Sequence, residues 1–150
     1  MKGYGILMAA ILPCLLLPCG CSDDGTSPSG DKLPAEYRLL RSADMFEGAA
    51  VGFGGTTPEV VLAFRKILAH PQGDLYFKRL LDEATLPGRL YGLAGVYFTD
   101  QEALAELAPP YLDSNAQVQT FFGCIMGPLS VAELAGRIVD GTLCAELRGS

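Results

Sequence analysis

The chain has 150 residues, 49% of them hydrophobic, and a formal net charge of −6, which allows one domain with a real core. Its basic side chains, among them Arg65, Lys66, Arg79 and Arg137, are dispersed among acids. That dispersal argues against a nucleic-acid backbone as partner, and the acidic balance gives no electrostatic hold on anionic lipid.

At the N-terminus one positive charge, Lys2, precedes an uncharged apolar stretch over residues 6–17. Signal-peptide cores run to roughly 15 residues, whereas a spanning helix needs about 20. Pro13 and Pro18 weaken such a helix further. After Cys21 the composition changes abruptly to Ser22-Asp23-Asp24-Gly25-Thr26-Ser27-Pro28-Ser29-Gly30-Asp31-Lys32. This flank is acidic where a cytoplasmic one would be basic. With no apolar side chain from Ser22 to Lys32, it reads as a flexible tether.

The pair Gly20-Cys21 at this junction resembles a bacterial lipoprotein signal, in which a small residue precedes a cysteine that becomes residue one and is lipidated. Pro18 stands at the position three before the cysteine, where that signal usually has an apolar residue. The resemblance implies a signal peptide over 1–20, an acylated Cys21, a tether over 21–32 and a domain over 33–150. It also implies a diacyl or triacyl cysteine, and stable anchoring needs more than one chain. Ser22 after the anchor, rather than aspartate, implies the outer membrane, with the domain facing the periplasm. A soluble signal peptide and a retained single span are the alternatives. Cleavage before Cys21 removes Lys2, taking the net charge to −7, and removes Cys14 and Cys19. It leaves Cys124 and Cys144 as an even pair, and an oxidising compartment predicts a disulfide between them.

Along the domain, residues 44–51 read as a short helix ending at Gly52-Phe53-Gly54-Gly55. Thr56-Thr57-Pro58-Glu59 offers a capping hydroxyl, a first-turn proline and a glutamate three after Thr56. Val60, Val61, Phe64, Ile67 and Leu68 follow at helical spacing, and His70-Pro71 ends that helix. Asp74 can cap the next, with Leu75, Phe77, Leu80 and Leu81. Residues 86–98 are apolar nearly all round, the mark of a central helix. Gly88, Gly92 and Gly95 line one side of it for close approach, with a buried strand as the alternative. Leu90, Leu93, Ala94 and Tyr97 are the expected centre of the core. Thr99-Asp100-Gln101-Glu102 and Ser130-Val131-Ala132-Glu133 are further capped starts, the first running to Pro109-Pro110 and the second to Gly141. Residues 117–122 lean towards strand, either as an extended loop or as one edge of a small hairpin. Beyond the last helix, residues 145–150 offer little to pin the C-terminus except the disulfide.

Successive helices from Pro58 to Leu112, joined by short turns, make antiparallel neighbours. The fold class expected is therefore mainly α, a small helical-hairpin domain resembling HEAT-type pairs, with one short extended segment and the Cys124–Cys144 bond. Residues 46–53 and 85–98, with Phe122-Gly123-Cys124, also resemble small uncharacterised lipoproteins of Gram-negative bacteria.

The residues select no chemistry. His70, the single histidine, stands at a helix end where its ring can cover the last carbonyls, and zinc or nucleophilic sites need more parts. The loop Gly52-Phe53-Gly54-Gly55-Thr56-Thr57 lacks the lysine and the preceding strand of a phosphate loop. Asp82, Glu83, Glu102 and Glu106 fall on solvent-facing stripes. No catalytic, cofactor or metal site is expected. The expected partners are the membrane, through N-terminal acyl chains, and an envelope protein or ligand of unspecified kind. The leading reading is a lipid-anchored, non-enzymatic binding or accessory domain. A carboxylate-dependent envelope hydrolase and an immunity or assembly accessory are the alternatives. A concave pocket with two inward acids would favour the hydrolase; a smooth groove lined by Tyr91, Tyr97 or Phe98 would favour binding.

Overall fold

The computed structural model describes residues 33–149. The signal segment, Cys21 and the tether lie outside the described residues. The domain begins with α1 (Ala35–Arg41), followed by β1 (Phe46–Val51), α2 (Glu59–Leu68), α3 (Gly73–Glu83) and α4 (Leu86–Thr99). Then come α5 (Gln101–Leu107), α6 (Pro109–Leu112), β2 (Gln117–Gly123), β3 (Ile125–Ser130), α7 (Val131–Val139) and α8 (Thr142–Arg148).

Helix α4 is the central element, as its composition predicts. Thr85 caps it by accepting from the Gly88 N–H, and Pro87 sits in its first turn. Leu90, Leu93 and Ala94 are fully buried, whereas Tyr97 is only partly so. The glycine stripe faces neighbouring elements. A Cβ on Gly92 would stand 2.9 Å from the Phe77 carbonyl oxygen of α3, and one on Gly95 would overlap the Phe77 ring. The loss of helix propensity, about 1 kcal/mol per glycine, is offset by this close α3–α4 approach.

Helix starts follow the sequence in part. Ser130 caps α7 by accepting from Glu133 N–H at 3.1 Å, and Asp100 caps α5 by accepting from Ala103 N–H at 2.9 Å. Thr56 does not cap α2. It forms an isolated antiparallel bridge with Val51, Val51 N–H donating at 2.9 Å and Thr56 N–H at 3.0 Å. The glycines between them form a turn, with Gly52 and Gly55 at φ of 70° and 61°, values that glycine accepts without strain. Asp74 lies inside the first turn of α3 and pairs with Lys78 at 3.0 Å.

The domain is mainly α-helical, as expected, but the HEAT-like hairpin architecture with one short extended segment is overturned by a three-stranded sheet of order β1-β2-β3. Residues 46–51, read as helix, form β1, which runs parallel to β2 in the register Phe46↔Thr120 and Glu47↔Phe121, shifting before Val51↔Gly123. The single extended segment is the central strand β2, and β3 pairs antiparallel to it from Gln117↔Ser130 to Phe122↔Ile125. Gly123-Cys124 is the two-residue turn between them, with Gly123 at φ 56°.

The Cys124–Cys144 disulfide is likewise corrected. Both cysteines are free, Cys124 exposed and Cys144 buried. The reason is topological: Cys124 is held at the hairpin turn, whereas Cys144 lies in α8 with its Sγ donating to the carbonyls of Ile138 at 3.5 Å and Ala94 at 3.9 Å. The C-terminus is pinned by burial instead. Leu143, Cys144 and Leu147 of α8 are fully buried, and the Arg65 Nε donates to the Leu147 carbonyl at 2.8 Å.

Candidate functional site

One face of the sheet looks across a groove of about 940 Å³ towards α2, α7 and α8. The groove lies where small residues stand in place of the large ones strands usually carry: Ala50 on β1, Thr120 on β2 and Gly127 on β3. At Gly48 the Phe122 ring fills the place of the missing side chain, 2.7 Å from where a Cβ would stand. A Cβ on Gly127 would meet nothing within 4 Å. Phe122, Ile125 and Leu129 give the floor its apolar surface, and Ala145 and Gly149 close the far wall. The size and lining fall in the range of small-molecule sites.

Three charged side chains border this apolar floor: Arg65, Arg137 and Glu146. Arg137 lies 3.7 Å from Glu146 and holds its guanidinium 5.2 Å from the centre of the Phe122 ring. Arg65 is oriented by its bond to Leu147. Thr120, almost fully buried, donates its hydroxyl to the Gly127 carbonyl at 2.8 Å, tying β2 to β3 beneath the groove. The site therefore offers an apolar channel with two guanidinium groups at its border and one carboxylate already engaged by Arg137.

The residues singled out in the sequence lie elsewhere. Tyr91 is fully buried and lines no groove; Tyr97 and Phe98 pack partly buried against the core. His70 is exposed, and its Nδ1 accepts from Gln72 N–H at 3.0 Å, so it caps a turn after α2. Cys124 stands at the hairpin turn and Cys144 in the core, so the two cysteines are not brought together. A second cavity, about 360 Å³, is bordered by Asp82, Glu106, Arg89 and Tyr111. Its two carboxylates are both exposed to solvent, as the sequence pattern predicts, rather than turned inward. Among the described residues no group of three or more His, Cys, Asp or Glu side chains could hold a metal ion.

Sequence reasoning missed the groove residues. The available signal was the alternation Val118-Thr120-Phe122 and Ile125-Gly127-Leu129 on either side of Gly123-Cys124, a hairpin pattern obscured by Gly127 and Pro128 in its second arm. Comparison with protein-family models, curated proteins and solved structures finds no match to this chain.

Proposed function

We propose that this chain is a lipid-anchored binding domain of the cell envelope, acylated at Cys21, whose groove takes an elongated apolar ligand carrying a negatively charged end. The observation that carries the reading is the pairing of an apolar floor with Arg65 and Arg137 at one groove. Guanidinium groups bind carboxylates and phosphates through a planar fork of donors. The small residues Ala50 and Gly127 leave the volume that an alkyl or aryl body would fill.

Hydrolysis by a carboxylate pair finds less support at this groove, because Glu146 is its single acid and is held by Arg137. General acid–base hydrolysis places two carboxylates on opposite sides of the bond to be cleaved. Asp82 and Glu106 border the smaller cavity but stand in solvent.

The test uses 8-anilinonaphthalene-1-sulfonate, an aryl body with one anionic group. Wild-type protein should bind it saturably, with enhanced fluorescence. Gly127→Leu fills the groove from a position with open space around it and should weaken binding by on the order of tenfold or more. Arg137→Gln should weaken it less. Equal binding by all three proteins would overturn the assignment of the groove.

A further inference from the structure

At one end of the sheet two turns lie side by side, joined by the Gly52 N–H donating to the Gly123 carbonyl at 2.7 Å. Three large apolar side chains stand in solvent at this end: Phe53 on the first turn at 103% relative exposure, and Ile125 at 78% and Met126 at 61%, the first two residues of β3 directly after the second turn. Neither contributing segment carries a charge, since the sequence holds no Asp, Glu, Lys or Arg from Gly48 to Pro58 or from Ser114 to Ala132. Acids and bases are confined to the rest of the domain. Single exposed apolar residues are ordinary on a protein surface, but three at one end of a sheet with no charge in either segment are not.

We infer that this tip dips into the surface of a lipid bilayer and sets the orientation of the domain on it. The inference rests on the reading of Cys21 as the anchor for its geometry. Eleven residues stand between Cys21 and Leu33, and the steps from one to the other span up to roughly 40 Å when extended. A domain of this size has a radius of gyration of about 13 Å, so such a tether lets any face turn to the membrane. An acyl anchor also removes the cost of bringing the tip to the surface, and apolar side chains then add to the hold of the chains. The net charge of −7 left after cleavage before Cys21 commits the occupant to neutral lipid, because an anionic surface would repel the remainder of the protein. Ile125 belongs to the tip and also lines the groove, so this orientation brings the groove beside the bilayer surface.

Cys124, exposed between Gly123 and Ile125, provides the reporter. In the processed, acylated protein Cys21 is blocked and Cys144 is buried, so an environment-sensitive fluorophore attaches at the tip. On phosphatidylcholine vesicles its emission should shift to the blue and be quenched by spin-labelled lipid. In the Phe53→Ser/Met126→Ser variant the label should stay accessible to aqueous iodide. Leu75→Ser, a change at an exposed leucine of α3, should leave the shift intact. An acylated protein whose label remains in water would overturn the inference, as would protection that follows protein density rather than lipid, which would assign the tip to a second copy. The mass of the N-terminal peptide tests the anchor separately. If that residue is unmodified and the label still enters vesicles, the tip stands and only the anchor falls.

Discussion

The hydroxyl of Tyr91 closes both backbone groups of Glu47: its oxygen accepts from Glu47 N–H at 2.8 Å and its O–H donates to the Glu47 carbonyl at 3.2 Å. The central helix thereby takes the part of a neighbouring strand on the side of β1 away from β2, where unpaired N–H and C=O groups would otherwise face outward. The Tyr91 ring is fully buried and stacked on Phe46 with centroids 4.4 Å apart. Burial pushes its hydroxyl pKa well above the usual range, so the proton needed for the second bond stays in place. Tyr91→Phe keeps the ring and leaves both Glu47 groups without this partner. It should cost about 1–3 kcal/mol, read from urea midpoints; a loss near zero would mean that β1 does not depend on α4 for its edge.

Two glycine-to-alanine changes should have opposite signs. At Gly95 a methyl group would overlap the ring of Phe77, which is fully buried and cannot swing aside. Overpacking of this kind costs typically 1–3 kcal/mol and exceeds the gain of about 1 kcal/mol in helix propensity. At Gly136 of α7 the added carbon meets nothing within 4 Å, so propensity alone acts and alanine should stabilise by about 0.5–1 kcal/mol. Thermal or urea unfolding of the two variants checks both signs.

These contrasts show what the sequence makes legible. The α3–α4 contact could be read because the signal is local: an all-apolar run with glycines at helical spacing admits one geometry. Strand β1 could not. Met45, Glu47, Ala49 and Ala50 are compatible with a helix, and the partner strand that decides otherwise lies beyond five helices. Tertiary pairing overrides a weak propensity there. Helix α8 was hidden because Gly141, at φ 82°, ends α7 and at the same time begins α8. The groove was illegible for a further reason: it lies where small side chains on three strands, Ala50, Thr120 and Gly127, come to face one side together, and only the register brings those positions side by side.

Acid should loosen the junction of α3 and α5 through Asp100. Its carboxylate accepts from the Ala103 N–H and pairs with Lys78 at 2.8 Å, and both hold its pKa below the ordinary aspartate value. A pKa lowered on folding contributes stability that is present above the unfolded value and is lost as pH falls through the folded one. Asp100→Asn keeps an oxygen to cap the helix and removes the charge. Its stability should therefore fall less steeply than wild type as pH drops below the ordinary aspartate value of about 4, measured by urea midpoints on the acid side of that value. Parallel curves would assign the acid response to other carboxylates.

The anchor has its own test. Cys21→Ser should block processing or release the protein from membranes, whereas Cys19→Ser should still give a lipidated product. The mass of the N-terminal peptide decides it: an unmodified N-terminus at or beyond Ser22 would remove the lipid from the reading.

The two domain cysteines should differ sharply in reactivity. Thiolate is the reacting form, so alkylation follows both exposure and pKa. Cys124 is exposed at the hairpin turn and should be modified by iodoacetamide in native protein. Cys144 is fully buried, and that burial, with a smaller contribution from the charge of Asp140, pushes its pKa from about 9 up to about 12. It should react only after denaturation, without any reductant. If neither thiol reacts in denaturant until reductant is added, the cysteines are bridged after all. The raised pKa also has a consequence for stability in alkali. A group whose pKa rises on folding contributes stability that is fully present below its unfolded value, about 9, and lost as pH rises through its folded value, about 12. Cys144→Ala removes the titration, so its unfolding free energy should decline less between those limits than that of wild type, whatever its absolute level. Matching declines would show that alkaline unfolding is governed by tyrosines and lysines and not by the thiol in α8.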